Sequence, residues 1–381
     1  MNIIESSRSY EAWLSERTDL QGRGLERKHG QMARGAFPFL RATFYRWLQR
    51  WRKECAELCE REHDVLLVVG DLHVENFGIW RDSRERLVWG VNDFDEACQM
   101  PFTNDLVRLA TSIILAAEAA EIEAPLEKIA EFLIAGYENG VESGGSPILL
   151  ESEEHHQLMA LVCVVKEDPA SFWTRALREN EAPEISAKEL PDWLEDIFRS
   201  AFPHPCKPEY RRERRPGGLG SLGRRRYLAV YRKSPNGYIA REAKALVPSA
   251  SCWLEKRRAA KSLTATLLQR AVRIPDPWLQ VHDQWIVRQF APDAFKVELP
   301  NSQEDLRLVF APALIHAMGL ETANIHLGSR SPRGLKMAME HLRQDLGADW
   351  LTVATGRMAK VMRQDHLEWK KYHHGRSGVR K

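Results

Sequence analysis

The sequence lacks any apolar run that approaches the roughly 20 residues required by a membrane-spanning helix. Its first residues also lack a basic segment followed by an apolar one, so no secretory signal is visible. The 6 cysteines are scattered, and no Cys or His pairs recur at metal-binding spacing. Such a pattern is typical of reduced thiols. These absences predict a cytoplasmic protein with no membrane partner.

An excess of one charge is also lacking, because 55 Lys and Arg residues nearly balance 53 Asp and Glu residues, for a net charge of +2. Near neutrality gives no global nucleic-acid signal, so no nucleic-acid partner is expected. The exception is a basic cluster at residues 211–215 and 224–226, which we interpret as phosphate-facing or solvated. With 381 residues, 44% of them hydrophobic, the chain has the composition of a globular protein of two or three lobes.

Two short apolar runs each end in polar side chains that suit phosphate chemistry. The first run delivers Asp71 to a loop, and Asn76 follows five residues later; the second run delivers Asp93 and Asp95. Two strand ends can gather these side chains around one point. Phosphoryl transfer needs such a set, because one carboxylate orients the hydroxyl while an Asn and an Asp hold magnesium.

This spacing resembles that of the kinase-like small-molecule phosphotransferases, which include aminoglycoside and choline kinases. Their motif reads roughly His-Gly-Asp-x-His-x-x-Asn, followed by Ile-Asp-Phe or Ile-Asp-Trp. The resemblance implies that Asp71 is the catalytic aspartate and that Asn76 and Asp93 bind the metal, with Asp95 as a candidate second acidic ligand. One departure is Val69, where those kinases usually carry a His.

Neighbouring residues receive roles as well, Asp105 from the same resemblance and the others from their positions in the sequence. Asp105 would be a buried acid that braces the catalytic loop. His73 would orient Asp71 or a substrate hydroxyl, although a buried structural role is an equal alternative. We expect Glu96, directly after the acids, to lie at the surface.

Three phrases, GDLHVENFG, NDFDEA and DLVRLATS, resemble a bacterial family known as domain of unknown function 2252. The resemblance extends over most of the chain, is strongest at residues 70–112 and is thinner after residue 300. The family name carries no activity, so the chemistry has to be argued from the residues.

A glycine-rich segment in the second half of the chain suits a phosphate-covering loop. Gly218, Gly220 and Gly223, with Ser221 among them, let backbone amides approach phosphate oxygens. Two predicted strands joined by a Pro-Asn-Gly turn follow, and the second of them carries Lys244. That order matches protein kinases, in which the lysine pairs the α- and β-phosphates. An ordinary hairpin with a solvent-facing lysine is the alternative.

The helix after this lysine would supply its acidic partner, for which Glu255 is the candidate. We read residues 248–273 as one long polar helix and residues 281–289 as a further strand pair. Residues 290–292 would be the hinge, where adenine normally docks. Helices are predicted over most of residues 1–64 and 104–144, and over 305–326, 334–347 and 351–372.

Chain order is unusual for a kinase, because the acids precede the glycine loop. Both features can belong to one site if the fold is circularly permuted. The predicted fold is therefore α+β and kinase-like, with two lobes: a mostly helical large lobe (residues 1–210), a small antiparallel-sheet lobe (211–300) and C-terminal helices (301–381) that return to the large lobe.

The sequence thus predicts an enzyme, an ATP- and Mg²⁺-dependent phosphotransferase that acts on a small-molecule hydroxyl or amine. Transfer of AMP and a kinase-like regulatory role that binds nucleotide are alternatives. A metal-dependent phosphoesterase is a weaker one. Although Gly-Asp-x-His fits part of the dinuclear phosphatase signature, the Gly-Asn-His that completes it occurs nowhere in the chain.

Overall fold

The computed structural model describes residues 1–164, 168–178, 186, 190–200, 211–214, 219–234, 237–257, 261–292, 294 and 307–379. The helices of these ranges are α1 (Ile3–Ser15), α2 (Gly22–Met32), α3 (Ala36–Ala42), α4 (Phe44–Glu54), α5 (Ala56–Cys59), α6 (Thr103–Ala119), α7 (Leu126–Glu142), α8 (His156–Val164), α9 (Pro169–Arg178), α10 (Asp192–Ser200), α11 (Ala250–Leu254), α12 (Thr264–Arg270), α13 (Pro312–Leu327), α14 (Pro332–Leu346) and α15 (Trp350–Val379). The strands are β1 (Val65–Val68), β2 (Phe77–Arg81), β3 (Leu87–Val91), β4 (Cys98–Pro101), β5 (Ile148–Leu149), β6 (Arg211–Arg214), β7 (Arg226–Ser234), β8 (Gly237–Ala245), β9 (Gln280–His282) and β10 (Trp285–Phe290).

The first 64 residues are mainly helical, as predicted. α1 begins at a capping box, in which the Asn2 side chain accepts a hydrogen bond of 2.9 Å from the backbone of Glu5. Aromatic residues of α3 and α4, among them Phe39, Trp47 and Trp51, are fully buried. Their helical spacing places them on faces that pack into the core.

Two antiparallel strand pairs carry two loops with acidic side chains. These are the Asp71 loop, which follows β1, and the acid loop, which follows β3 and contains Asp93 and Asp95. β1 pairs with β4, with Val68 opposite Cys98, and β2 pairs with β3, with Phe77 opposite Val91. The apolar runs at β1 and β3 are confirmed as strands. The sequence did not predict β2 and β4, because these short stretches do not alternate and the second ends in Pro101. Their pairing brings the end of β1 and the end of β3 into one region.

Strands β6 to β10 form a separate five-stranded antiparallel sheet in the order β6-β7-β8-β10-β9. The predicted hairpin and the later strand pair are confirmed in it. α10 packs on one face through Leu194 and Phe198, while α9 packs on the other through Phe172 and Trp173. The lobe boundaries at residues 210 and 300 stay a prediction, and the packing adds that two helices before residue 210 contact this sheet.

The C-terminal helices share one hydrophobic core with α1 to α7. α13 lies against α7 at very short range. A Cβ on Gly136 would lie 1.8 Å from the carbonyl oxygen of His316, and one on Gly319 would lie 2.1 Å from that of Leu133. Only glycine at both positions permits this approach, because any side chain would collide with the opposing backbone.

The predicted long helix over residues 248–273 is wrong. α11 ends after five residues, and the amide of Arg257 donates 2.9 Å to the carbonyl of Cys252 to close it. Lys256 has a φ of +55°, a left-handed conformation that a helix cannot continue through. α12 begins only at Thr264. Polar composition therefore predicted helix where local hydrogen bonds form a loop.

The mixed α+β class is confirmed. None of the helices in the described ranges combines the length and apolar character that crossing a bilayer demands.

Candidate active site

Asp71 lies in a tight loop after β1 that is held by its backbone. The carboxylate of Asp105, in the first turn of α6, accepts hydrogen bonds from the amides of Val69 (2.8 Å) and Gly70 (2.9 Å). Gly70 has a φ of +80°, and a Cβ there would lie 2.4 Å from the carbonyl oxygen of Glu96, so only glycine fits. The predicted brace by Asp105 is confirmed as a contact.

Asp105 is itself fixed by a buried network. Asn104 Nδ2 donates to Asp105 Oδ1 and to the carbonyl of Gly70, at 3.1 Å in each case. His326 Nε2 lies 3.3 Å from Asp105 Oδ2, and the other ring nitrogen lies 3.0 Å from the Tyr137 hydroxyl. Helices α6, α7 and α13 thus meet behind the loop. Buried networks with satisfied partners hold one conformation.

Arg108 holds the Asp71 carboxylate, and the sequence reading did not identify it. Its buried guanidinium donates from Nε to Asp71 Oδ1 at 2.9 Å and from Nη2 to the same oxygen. The guanidinium also lies 5.0 Å from the ring centre of Phe44 and 4.9 Å from that of Trp47. Burial raises the pKa of Asp71 to about 6, and the Arg108 charge opposes this rise.

Asn76 lies where the two strand pairs meet. Its Oδ1 accepts 2.7 Å from the amide of His73, and its carbonyl accepts 3.0 Å from the amide of Asn92. Because Asn92 immediately precedes Asp93, this bond sets Asn76 beside the acid loop. The buried His73 ring meets Phe37 edge-on at 6.5 Å. Their roles in metal binding and catalysis stay predictions.

Lys244 brings the five-stranded sheet onto the acid loop. Its Nζ lies 2.7 Å from Asp95 Oδ1 and 3.3 Å from Asp93 Oδ1, and the lysine side chain is 5% exposed. The second of these contacts joins residues 151 apart in the chain. The prediction that Glu255 is the partner of Lys244 is wrong, because Glu255 pairs with Arg257 and Arg52. The acids predicted to bind metal are therefore the partners of this lysine.

The described part of the glycine-rich segment, residues 219–223 (the glycine-rich turn), passes close to Asp71. A Cβ on Gly220 would lie 3.8 Å from Asp71 Oδ2 and 3.3 Å from the carbonyl oxygen of Arg41, so the segment passes close to both. Gly223 has a φ of +93°, which favours glycine. Gly218 lies outside the described residues. Two of the predicted glycines therefore belong to a turn that passes close to the Asp71 loop.

Hydrogen bonds anchor this turn on both sides. Ser221 Oγ accepts 2.8 Å from Arg226 Nη2, on the sheet. The carbonyl of Gly223 accepts 2.8 Å from the amide of Gln21, just before α2. The predicted contact of Ser221 with nucleotide stays a prediction.

Glu96, which we expected at the surface, is buried. Its Oε2 accepts 2.7 Å from the amide of Ala250, and its Oε1 lies 3.4 Å from Arg224 Nη2. Arg224 Nη1 lies 3.4 Å from Asp95 Oδ2. Burial raises the pKa of Glu96 to about 7. One carboxylate thus ties the acid loop to the glycine-rich turn and to α11.

In the basic cluster, Arg211, Arg214 and Arg225 are exposed, as a solvated role predicts, whereas Arg224 and Arg226 are buried. Four arginines of the cluster form ion pairs within the protein, and a phosphate-facing role stays a prediction. The pairs are Arg212 with Glu195, Arg224 with Asp95 and Glu96, Arg225 with Asp19, and Arg226 with Glu242.

Two residues from the last third of the chain, Arg273 and Glu321, form hydrogen bonds with the strand end that leads into the acid loop. Val91, the last residue of β3, donates its amide to Glu321 Oε1 at 3.1 Å and accepts 3.1 Å from Arg273 Nη1 through its carbonyl. Burial raises the pKa of Glu321 to about 7. The position of Asp93, two residues after Val91, therefore depends on α13 and on the loop after α12.

The acid loop offers oxygen atoms, the type of ligand that Mg²⁺ takes. Asp93 and Asp95 converge on one cation, the Lys244 ammonium, whereas the side-chain oxygen of Asn76 accepts a hydrogen bond from the His73 amide. Mg²⁺ is bound by one or two carboxylates and completes its octahedron with water and phosphate oxygens. Across the described part of the chain, no three His, Cys, Asp or Glu side chains are grouped to enclose a metal. Magnesium binding by Asp93, Asp95 and Asn76 therefore stays a prediction.

The two missed residues differ in how far the sequence could have revealed them. Arg108 follows Asp105 by three residues on α6, so helical spacing sets both on the face toward the Asp71 loop. Glu96 offered no local signal, since its partners Arg224 and Ala250 lie 128 and 154 residues away.

Residues 21–186 match the family described as uncharacterized protein conserved in bacteria (DUF2252). The matched segment contains the Asp71 loop, the acid loop and α6, and it ends before the glycine-rich turn. A search of curated proteins found no match, and a search of solved structures found none.

Proposed function

We propose that the protein is a kinase-like phosphotransferase that uses ATP and Mg²⁺ to phosphorylate a hydroxyl or amine on a small molecule. The observation that carries the proposal is the contact of Lys244 with Asp93 and Asp95. A basic residue on the five-stranded sheet and two acids on the loop after β3, far apart in sequence, are in direct contact. Such a pairing suits a ligand that is both anionic and metal-bound.

The order of parts within each half supports the kinase-like assignment. The five-stranded sheet has its glycine-rich segment between the first and second strands and Lys244 on the third, as in a protein-kinase small lobe. The other half runs from the Asp71 loop through a hairpin to Asp93, and then to the helix that carries Asp105. In a protein kinase the glycine-rich half precedes the half that carries the acids, whereas here it follows it. The proposed fold is therefore a circularly permuted version of the kinase fold.

Asp71 is the candidate general base. The glycine-rich turn lies over it, so an acceptor that reaches Asp71 would also be close to phosphates held by that turn. A pKa of about 6 leaves the carboxylate ionised at neutral pH yet basic enough to take a proton from the acceptor. Arg108 is the positioning residue that fixes its direction.

Asp93, Asp95 and Asn76 would hold Mg²⁺, which supplies charge neutralisation at the phosphate oxygens. Lys244, with the backbone amides of the turn, would hold the phosphate chain. Chemistry in such a site consists mainly of positioning and electrostatic stabilisation, since these residues orient groups and form no covalent intermediate.

Calorimetric titration of ATP, with and without Mg²⁺, tests the proposal on the wild type, Asp93→Asn and Lys244→Met. We expect Mg²⁺-dependent binding that each substitution weakens by at least about tenfold. Glu131→Gln and Lys128→Met are matched controls, because these residues form an exposed pair on α7. Binding that is equal in Lys244→Met and the wild type would separate the sheet from the acids and overturn the proposal.

Turnover then separates the remaining alternatives. Asp71→Asn should keep ATP binding but lower turnover by roughly a thousandfold, about 4 kcal/mol in the barrier. Release of ADP marks phosphoryl transfer, whereas release of pyrophosphate marks transfer of AMP through the same residues. ATP binding without either product, across an acceptor screen, would favour the regulatory alternative.

A further inference from the structure

The face of the five-stranded sheet that carries Lys244 can be read row by row. Side chains two residues apart on a strand share a face, and so do residues directly opposite in the register. Opposite Lys244 lie Arg226 on β7 and Ile286 on β10. The next row contains Leu228, Glu242 and Arg288, and the third contains Val230, Ala240 and Phe290.

The first two rows are charged. Glu242 is fully buried and accepts 2.7 Å from Arg226 Nη1 and 2.8 Å from Arg288 Nε. Arg288 Nη2 also lies 2.7 Å from Glu242 Oε2. Two guanidinium groups share one carboxylate, so the trio keeps one net positive charge beside the Lys244 ammonium.

Both arginines lie on the sheet face of Lys244, which contacts Asp93 and Asp95. Burial lowers the pKa of Arg288, but the charge of Glu242, followed by those of Asp93 and Asp95, raises it overall. Arg226 also donates to Ser221 of the glycine-rich turn, and its buried Nε has no hydrogen-bond partner among the described residues. A phosphate oxygen is the type of acceptor that such a donor takes.

The third row is apolar, but α9 covers it. Phe172 and Trp173 pack on Val230, Ala240 and Phe290, with the ring centres of Phe172 and Phe290 5.0 Å apart. Phe290 begins the segment that we predicted as the hinge for adenine. The apolar surface that a nucleobase would need on this face is therefore already occupied by aromatic side chains of the protein.

We propose that this sheet face recognises the donor by its phosphate chain alone, so that the site accepts a polyphosphate with little regard to the base attached to it. The inference rests on the proposed function and specifies its donor. Arg226, Arg288 and Lys244 supply the phosphate-binding groups, because planar guanidinium forks match phosphate oxygens. On the described face of the sheet, the third row is covered by α9 and so offers no apolar contact to a base.

The experiment compares ligands on the wild-type protein in the presence of Mg²⁺. ATP, GTP, CTP, inorganic tripolyphosphate and adenosine are each titrated by calorimetry. We expect the three nucleotides to agree within about threefold and tripolyphosphate to bind within about tenfold of ATP, a difference of at most ~1.4 kcal/mol. Adenosine should neither bind nor compete.

Arg288→Met adds a test of the residue itself. It should weaken the nucleotides and tripolyphosphate by the same factor, roughly tenfold, because it removes a charged hydrogen-bond donor to phosphate. Arg333→Met, at an exposed position on α14, is the matched control and should change nothing. Arg288→Lys retains the charge beside the buried Glu242 if the methionine variant does not fold, and a smaller but equally shared loss is then expected.

The outcomes separate this inference from the proposed function. If ATP binds with Mg²⁺ while tripolyphosphate does not, and adenosine competes, base recognition is restored and only the present inference is overturned. If no triphosphate binds, the proposed function fails and the inference fails with it. Equal loss of all phosphate ligands in Arg288→Met supports both.

Discussion

The pair formed by Arg108 and Asp71 allows a test of the site that requires no substrate. Arg108→Met keeps most of the apolar volume between Phe44 and Trp47 but removes the charge. The Asp71 carboxylate, whose side chain is 17% exposed, then loses its buried partner. Breaking a buried ion pair from one side costs about 3–5 kcal/mol, and the partial exposure of Asp71 favours the lower end of this range.

The cost should depend on pH. Burial raises the pKa of folded Asp71, and the Arg108 charge is the largest influence that lowers it. Without Arg108 the folded carboxylate takes up a proton at a higher pH still, while the unfolded chain keeps its ordinary value. The folded variant therefore binds more protons than the unfolded chain, so its stability falls as pH rises. Destabilisation should be small near pH 5 and reach about 3 kcal/mol near pH 8.

Urea denaturation at both pH values measures this, with the cycle completed by Asp71→Asn and the double variant. We expect the double variant to be more stable than additivity predicts, by about 2 kcal/mol at pH 8, because neither charge is left alone. Arg363→Met is the control, since Arg363 pairs with Glu118 at the exposed end of α6, where a salt bridge contributes less than about 1 kcal/mol. A loss below about 1 kcal/mol at pH 8 for Arg108→Met, or strict additivity, would refute the reasoning.

Three further variants probe the surrounding structure by urea or thermal denaturation. Asp105→Asn should lower the free energy of unfolding by about 2–3 kcal/mol, because its side-chain NH₂ group would face the amide of Val69 or of Gly70, which needs an acceptor. A loss below about 1 kcal/mol would contradict the bracing role of Asp105. Since burial raises the pKa of Glu321 to about 7 from 4.5, the folded protein keeps a proton that the unfolded chain releases in this range. Stability should therefore fall as pH rises from 4.5 to 7, and Glu321→Gln should remove this dependence. Parallel curves of stability against pH for the variant and the wild type would contradict the buried, protonated Glu321. Gly136→Ala should lose about 3 kcal/mol or more of stability, because its methyl group would collide with α13. The control Gly30→Ala has open space on α2 and should gain about 0.5–1 kcal/mol. Equal melting temperatures of the two variants would exclude the close contact between α7 and α13.

The sequence allowed the Asp71 loop and the acid loop to be predicted because their signals are local. A buried strand that ends in Asp71, and another that ends in Asp93, show as apolar runs followed by acids. The hairpin that carries Lys244 is equally local, since a turn joins two strands of matching length. These elements come from neighbours in the chain, and the structure has all of them where the patterns predicted.

Residues with distant partners could not be predicted in the same way. Glu96 was assigned to the surface because a charged residue after a strand is usually solvated. Its burial requires Arg224 and the amide of Ala250, which arrive from elsewhere in the chain. The partner of Lys244 was misassigned for a similar reason: helical proximity favoured Glu255, but the sheet turns the lysine toward Asp93 and Asp95.

The ion pairs of the cleft carry a consequence for how the proposed ligands would enter it. Asp93 and Asp95 are paired with Lys244, and Asp95 also with Arg224, while the Arg226 and Arg288 charges are partly neutralised by Glu242. Mg²⁺ alone would compete with the lysine for the acids and leave basic groups unpaired, while a phosphate chain alone would leave the acids unpaired. Together, metal and phosphate satisfy both sets, so each should raise the affinity of the other by the same factor. A site built from internal ion pairs is therefore expected to favour a metal-bound polyphosphate over either component alone.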